Sequence, residues 1–270
     1  MRRVVCAWMF VFAASLPASA TWSVVALEQK TGTIVVASAT CVPQAAFLRR
    51  PSTGLRDIQA IVVPGVGAAA AQAAVDNTRA NQRLIYAEIQ KGTDPADILE
   101  MLKNDPNIDS RQFGIIDMKG RHAGWSGPKN SASSLHEQGE VETTGIFYSI
   151  QGNILMSDDV VHAAVAAFKN DNGSLTDRVM AAMEAADAKG GDKRCTCETE
   201  PKVDAPCDGK TAHVAYILRA DRTDRNKESY NDGDYGMYIN VTNEDIKPTE
   251  NANPVKTLRM RYDEWKKHHG

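Results

Sequence analysis

The sequence predicts an α+β fold in which antiparallel strands and helices form separate groups. Short β-branched segments pair across glycine-containing turns, beginning with a hairpin of residues 21–27 and 33–39. Helical segments then follow one another in pairs, without the strand–helix–strand alternation that predicts a parallel sheet. Hydrophobic residues make up 43% of the chain and charged residues 24%, an ordinary globular composition. We therefore expect antiparallel sheets that bury one face on each other and the other face under helices.

Turn and capping residues predict the elements of the first half. Residues 40–58 contain two prolines and are expected to be irregular. Gly65 and Gly67 precede a strand of small residues that ends near Asn77. They lack the third glycine and the Gly-Lys-Ser/Thr ending of phosphate-binding loops, so close strand packing explains them better. The other predicted elements are helices at 78–91, before Gly92, and from Asp94-Pro95 onward, and a hairpin of 112–117 and 122–126.

In the second half, a polar stretch at residues 127–143 is expected to be a long loop before a strand at 145–150. Ser174-x-x-Asp177 is a capping box, which predicts the start of a helix. The remaining predicted elements are a helix at 158–169, a helix at 175–188, strands at 213–219 and 235–241, and a helix at 254–267.

The N-terminal residues have the pattern of a secretory signal peptide. Arg2 and Arg3 precede an apolar run at residues 4–16, and a small-x-small cleavage site ends at Ala20. The run is too short to span a bilayer as a helix. We expect a signal peptide at residues 1–20, one domain over residues 21–270, and a secreted or periplasmic protein that has no membrane contact after cleavage.

Charge argues against polyanionic partners. The net charge of −3 becomes −5 when the signal removes its two arginines. This mild acidity offers no attraction to nucleic acid or to an anionic membrane. We expect a small-molecule or peptide-like substrate, with neither a cofactor nor a metal, and the sequence leaves a homodimer open.

Four cysteines follow the signal, and an even number in an exported protein predicts disulfide bonds. Two of them are separated by a single residue, which is a poor spacing for bonding to each other. A zinc site is the alternative, with His213 as the histidine closest in sequence. The oxidising compartment favours disulfides over metal, and spacing selects none of the three pairings. The disulfide candidates are Cys41, Cys195, Cys197 and Cys207.

Five short motifs resemble the DUF1028 family. They are TWSVVA at residues 21–26, GVGA at 65–68 leading to QA at 72–73, RQxGIxD at 111–117, SxQGNIL at 149–155 and GGDKR at 190–194. The resemblance implies an N-terminal-nucleophile (Ntn) hydrolase fold, which is a four-layer αββα sandwich, with no established activity. Residues 195–210 look like a cysteine-containing insertion relative to the family.

Thr21 is the candidate nucleophile. Family members without a signal tend to begin Met-Thr-aromatic-Ser, so removal of methionine there would expose the same threonine that signal cleavage exposes here. The α-amine of an N-terminal threonine can accept the proton of its own hydroxyl. One departure counts against this chemistry. Many Ntn hydrolases carry a basic residue on the early strands, whereas residues 22–48 contain only Lys30, in a predicted turn.

Further site residues are proposed from position and residue type. Gln151-Gly152-Asn153 is read as a turn that could supply an oxyanion hole, although a simple strand-ending turn is the alternative. The remaining candidates also have purely structural alternatives, as small core residues or as a loop held by a salt bridge. The candidates for substrate contact or proton relay are Ser23, Ser38, Asn77, Asp192, Lys193 and Arg194.

Two functions are consistent with these observations. The first is an exported hydrolase that cuts an amide-type bond with Thr21. The second is a non-catalytic extracytoplasmic binding protein on the same fold, which the lack of an early basic residue favours.

Overall fold

The computed structural model describes residues 21–49, 52–131 and 133–269, so the predicted signal peptide at residues 1–20 lies outside the described residues. Two antiparallel sheets form the centre of this part of the chain. The larger has the strand order β10 (Met237–Thr242), β9 (Val214–Ala220), β2 (Thr33–Thr40), β1 (Thr21–Glu28), β8 (Ile146–Asn153) and β7 (Leu135–Glu140). The smaller has the order β3 (Ala60–Val63), β4 (Gly67–Ala73), β5 (Arg111–Asp117) and β6 (His122–Ser126).

Seven helices accompany the sheets within the described residues. They are α1 (Gln44–Leu48), α2 (Leu55–Gln59), α3 (Ala80–Lys91), α4 (Pro95–Leu102), α5 (Asp159–Asn170), α6 (Leu175–Ala188) and α7 (Pro254–His269). None of these helices has both the length and the apolar character needed to cross a membrane.

Three hydrophobic clusters show how the elements pack. One lies between the larger sheet and α5, α6 and α7, and includes Trp22 and Val24. A second fills the space between the sheets and includes Val25 and Leu27. A third lies between the smaller sheet and α3 and α4. Because successive side chains of a strand point to opposite faces, β1 contributes to the first two clusters in alternation.

The predicted α+β class is confirmed, and so are several local signals. Gly92 follows α3 with φ of 75°, a left-handed conformation that glycine adopts at little cost. The Asp94 carboxylate accepts a hydrogen bond from the Ala96 N–H at 2.9 Å and caps α4. Ser174 and Asp177 form the predicted capping box at the start of α6.

Three local predictions are wrong. Residues 40–58, expected to be irregular, contain α1 and α2, which are only five residues each and carry no side-chain cap. The expected loop at 127–143 contains the edge strand β7, whose half-buried residues show no alternation of polarity. Residues 151–153, read as a turn, continue β8 to Asn153, because β1 pairs with them along its first three residues.

Candidate functional site

The space between the two sheets is apolar at one end and polar at the other. Val25 and Leu27 of β1 belong to the apolar cluster there, and Thr21 and Ser23 continue the same face of the strand. Thr21 lies opposite Thr40 of β2 and Asn153 of β8 in the register of the sheet. The first position of β1 therefore brings three polar side chains into one row.

Thr21 is held on both its side chain and its backbone. Its side chain is buried, with 2% of the residue exposed. The Thr21 hydroxyl donates a hydrogen bond to the Thr40 hydroxyl at 3.3 Å, and the Thr21 carbonyl accepts one from Gln72 Nε2 at 3.1 Å. The predicted nucleophile thus occupies a defined position in the middle of the larger sheet.

Three buried glutamines connect the two sheets around Thr21, and we call Gln59, Gln72 and Gln112 the glutamine network. Gln72 Nε2 donates to Gln112 Oε1 at 2.7 Å, while Gln72 Oε1 accepts from Gln59 Nε2 at 2.7 Å. The Ser23 hydroxyl also donates to Gln72 Oε1, at 2.8 Å. Because buried amides are costly to leave unpaired, this network favours one arrangement of the strand ends.

A small, partly open cavity of about 20 Å³, which is room for about one water molecule, adjoins Thr21. Apolar side chains of α1, α2 and β5 form much of its wall, together with small residues of β4 and the loop after it. Its lining residues are Thr21, Phe47, Leu55, Ile58, Gln59, Ala71, Gln72, Ala73, Ala74, Val75, Asp76, Asn81, Gln82, Arg111 and Phe113. Thr21 is therefore not on an open surface but at the wall of this small cavity.

The candidate oxyanion residues lie in β8 rather than in a turn. Gly152 pairs with Trp22 on one side and Leu135 on the other, so its backbone belongs to the sheet. Asn153 faces the glutamine network, and its Nδ2 donates to Gln112 Oε1 at 3.1 Å. The Oε1 of Gln151 and the Oδ1 of Asn153 are buried, and neither has a hydrogen-bond partner among the residues that the structure describes. Residues 151–153 therefore offer no turn of free backbone N–H groups. The side-chain amide of Asn153 is the hydrogen-bond donor on the residue directly opposite Thr21.

The other candidate residues lie at different distances from the row formed by Thr21, Thr40 and Asn153. The Ser38 hydroxyl donates to the Trp22 carbonyl at 2.6 Å and so fixes β2 to β1. Ser23, as described, contacts Gln72. Asn77 is exposed on the loop after β4, because that strand ends at Ala73 and not near Asn77 as expected. Its neighbour Asp76, rather than Asn77, lines the cavity.

Asp192 meets the end of β2 from a distant part of the chain. Its carboxylate is fully buried, accepts the Cys41 N–H at 2.9 Å and pairs with Arg194 Nη2 at 2.8 Å. Lys193 is exposed. The Gly190-Gly191 pair adopts positive φ, which allows the chain to turn toward this contact. Asp192 and Arg194 therefore form a salt bridge that holds the loop, which was the structural alternative to substrate contact. This salt bridge lies beside Cys41, the residue that follows Thr40.

Two disulfide bonds are present, and they select one of the three pairings. Cys41 bonds to Cys195 with an S–S distance of 2.03 Å, and Cys197 bonds to Cys207 at 2.00 Å. The first joins the end of β2 to the segment that follows Asp192. The prediction of disulfides is confirmed, and the pairing follows from which chain segments meet.

One group among the described residues has the composition of a metal site. Cys41, Cys195 and His213 place possible ligand atoms within 4.8 Å of one another. Both sulfur atoms are committed to the disulfide, so they cannot act as thiolate ligands while it persists. Burial lowers the pKa of His213 to about 4. His213 is thus a neutral, buried imidazole at neutral pH.

Two groups near Thr21 were not predicted from the sequence. They are the glutamine network and a buried ion pair between Arg111 and Asp105. Arg111 Nε contacts Asp105 Oδ2 at 2.7 Å, and Arg111 Nη1 donates to the Ala74 carbonyl at 2.6 Å. Burial alone would raise the pKa of Asp105, but hydrogen bonds, chiefly from Arg111, hold that pKa below its ordinary value. Gln72, Arg111 and Gln112 all lie inside the quoted motifs, so the signal was present although no chemistry was assigned to it.

Two stacked antiparallel sheets define this α+β protein, with Thr21 of a central strand at the wall of a small cavity. The profile of DUF1028, described as a family of unknown function, matches residues 21–223. The chain belongs to the DUF1028 family.

The structure is also similar to the crystal structure of a protein from Silicibacter pomeroyi that is assigned to the DUF1028 family. The TM-score is 0.64 at 19% sequence identity, covering 91% of this chain and 89% of that chain. At this identity the similarity concerns the fold alone. No curated protein was found to match the chain.

Proposed function

We propose that the protein is an exported N-terminal-nucleophile hydrolase, which is cleaved after Ala20 and cuts an amide-type bond with Thr21. One observation carries the proposal: Thr21 is buried at the first position of a central strand and lines a cavity. Cleavage would therefore create the new N-terminus at the wall of this cavity. Stacked antiparallel sheets with helices packed on their outer faces support assignment to the four-layer αββα sandwich.

The chemistry uses both groups of the new terminus. An α-amine has a pKa of about 7.7–8.0, so a substantial fraction is neutral near neutral pH. It accepts the hydroxyl proton while Thr21 Oγ1 forms a bond to the carbonyl carbon of the substrate. The carbon–nitrogen bond then breaks, and the leaving amine takes that proton. Water hydrolyses the resulting ester, which regenerates the Thr21 hydroxyl and releases the acid.

Polar groups around Thr21 have defined roles in this scheme. Asn153, directly opposite Thr21, offers its side-chain amide to the developing oxyanion, and such a donor is worth about 3 kcal/mol in other enzymes. Thr40 orients the Thr21 hydroxyl. The exposed Lys193 remains a candidate contact for a substrate carboxylate, whereas the buried Asp192 is already paired with Arg194 and with the Cys41 N–H.

A non-catalytic binding protein is the second candidate, and one observation favours it. Lys30, the only basic residue among residues 22–48, lies in the turn between β1 and β2. This turn is at the opposite end of β1 from Thr21, so no early-strand cation assists the nucleophile. The protein would then bind a ligand without cutting it.

The test begins with the mass of the protein recovered after export from its full chain. We expect residues 21–270, with Thr21 first. An acylating probe, such as a β-lactone, should then label the wild type and Thr21→Ser, because both carry a terminal hydroxyl beside an α-amine. The Thr21→Ala variant should remain unlabelled at this position.

Two results would contradict the hydrolase. A mature N-terminus other than Thr21 removes the proposed base. Equal labelling of the wild type, Thr21→Ser and Thr21→Ala would mean that the probe reacts elsewhere, which favours the binding protein. Peptide mapping of the labelled site distinguishes these cases.

A further inference from the structure

We propose that Cys41, Cys195 and His213 bind one Zn²⁺ ion when the Cys41–Cys195 disulfide is reduced. In the oxidised chain both sulfur atoms belong to the disulfide, so the site exists only in the reduced form. The inference concerns the end of β2 and the segments that meet it, and it does not depend on Thr21 being a nucleophile.

The three side chains have the composition and the spacing of a zinc site. Their possible ligand atoms lie within 4.8 Å of one another, and all three residues are buried. Zinc is bound by cysteine sulfur at about 2.3 Å and by histidine nitrogen at about 2.0–2.1 Å, so neighbouring ligand atoms of a tetrahedral site are about 3.5–3.8 Å apart. Side-chain movements of roughly 1 Å are therefore enough to enclose the ion, and water can fill the fourth position.

Backbone hydrogen bonds, and not the disulfide alone, hold these residues together. The His213 N–H donates to the carbonyl of Thr40, the residue before Cys41, at 2.7 Å. The Cys41 N–H donates to the Asp192 carboxylate at 2.9 Å, and the Cys195 N–H donates to the Asp192 carbonyl at 3.2 Å. Reduction of the sulfur–sulfur bond breaks none of these three hydrogen bonds. We therefore expect the three ligands to stay near one another in the reduced, folded chain.

The charges of the group also suit zinc. Two thiolates and a neutral imidazole around Zn²⁺ carry no net charge together, which a buried position tolerates better than an isolated ion. Arg194 and Lys210 act on the ring of His213, and nearby cations favour the thiolate form that zinc requires. The backbone of Glu200 also acts on this ring. In zinc sites, such a contact on one ring nitrogen orients the other nitrogen toward the metal.

A surface groove of about 600 Å³ includes Cys195 in its lining, so a reductant and the metal ion have a route to the disulfide. A dithiol reductant gives two electrons and two protons to the disulfide and is itself oxidised to a disulfide. Zn²⁺ then binds both sulfur atoms as thiolates and displaces the two protons.

The test uses the full chain with Cys6→Ser, Cys197→Ser and Cys207→Ser, which leaves Cys41 and Cys195 as its only cysteines. The protein is reduced with dithiothreitol, freed of reductant without oxygen, and titrated with Co²⁺ and then with Zn²⁺. We expect one equivalent of Co²⁺ to give the absorption of a tetrahedral thiolate complex, and Zn²⁺ to displace it. The oxidised protein should show no such absorption. No thiolate absorption in the folded, reduced chain overturns the proposal.

Histidine variants and the folded state complete the test. His213→Leu should weaken Zn²⁺ binding at least tenfold, whereas the control His122→Leu, at an exposed site, should leave it unchanged. Equal affinity in both variants removes His213 from the site. Circular dichroism reports whether each reduced protein is folded, and the reduced wild-type chain is measured in parallel. Where a reduced chain unfolds without metal, Zn²⁺ should restore its fold, because the ion binds the assembled site. Failure of Zn²⁺ to restore the fold in either chain also overturns the proposal.

Discussion

Thr21 shows how neighbouring residues limit what a side chain can do. Thr40 and Gln72, which hydrogen-bond to it, are neutral groups, so neither can remove the hydroxyl proton as a charged base would. In the proposed mechanism that task falls to the α-amine created by cleavage. The surrounding amides then serve to position Thr21 rather than to activate it.

The residue-scale prediction concerns the centre of the glutamine network. Gln72→Leu should lower the free energy of unfolding by about 3 kcal/mol, because Ser23, Gln59 and Gln112 would keep buried polar groups with a partner removed. Denaturant unfolding of the full chain measures this change. Gln90→Leu is the matched control, since Gln90 is exposed on α3 and its replacement should alter stability by less than about 0.5 kcal/mol. Equal stability of the two variants would contradict a structural role for the network.

At the scale of single residues, local patterns were predicted and shared interactions were not. The candidacy of Thr21 follows from a predicted cleavage site and a strand pattern in one short segment, and Thr21 is the first residue of β1. Gln72 and Gln112 belong to different strands, and each glutamine alone is an ordinary polar residue. Only the pairing of β4 with β5, which places Gln72 directly opposite Gln112, makes them a network.

At the scale of elements, the two disulfides have different consequences. Cys41–Cys195 joins the end of β2 to the segment after Asp192 across a sequence separation of 154 residues. Cys197–Cys207 closes a separation of only 10 residues within the segment predicted to be an insertion. The long connection restricts the unfolded chain more strongly, because the entropy of loop closure grows with loop length.

The element-scale prediction compares these two bonds. Removing the first with Cys41→Ala and Cys195→Ala should lower the free energy of unfolding by about 5 kcal/mol in the chain-entropy model. Removing the second with Cys197→Ala and Cys207→Ala should lower it by about 3 kcal/mol. Thermal or denaturant unfolding of both double variants is the measurement, and each serves as the control for the other. A larger loss from the shorter loop would contradict this account.

Short elements were the least predictable part of the fold. The helices α1 and α2 are five residues long, too short to display a full apolar period, and β7 pairs on one side only, with β8. In contrast, α4 and α6 carry capping residues and were predicted at their start. Local signals predict an element when the element is long enough or capped, and tertiary contacts decide the others.

At the scale of the whole molecule, His213 links stability to pH. It is 1% exposed, and burial is the largest cause of the fall in its pKa to about 4. Lys210 and Arg194 lower that pKa further, whereas Asp192 and a backbone contact oppose the change. In the unfolded chain the imidazole has its ordinary pKa of about 6.5. The unfolded state therefore binds the proton first as the pH falls.

The whole-molecule prediction follows from this difference. The contribution of His213 is fully present above about pH 6.5 and is lost progressively as the pH falls to about 4, where the total loss approaches 3 kcal/mol. Unfolding free energies of the wild type and His213→Leu, measured at pH 7 and pH 4, should show a shallower pH dependence in the variant. His122→Leu is the control at an exposed site and should keep the wild-type slope. An unchanged slope in His213→Leu would contradict a buried neutral imidazole.

The sequence by itself determined the α+β class, the helix caps and the candidacy of Thr21, because each depends on residues that are close together in the chain. The preference for disulfides over metal came from the even number of cysteines and the predicted compartment. The tertiary structure alone decided the pairing of the cysteines, the strand conformation of residues 151–153 and the glutamine network around Thr21. These features join segments tens to more than a hundred residues apart. Their contacts depend on how the sheets stack and which strands become neighbours, which local periodicity does not encode.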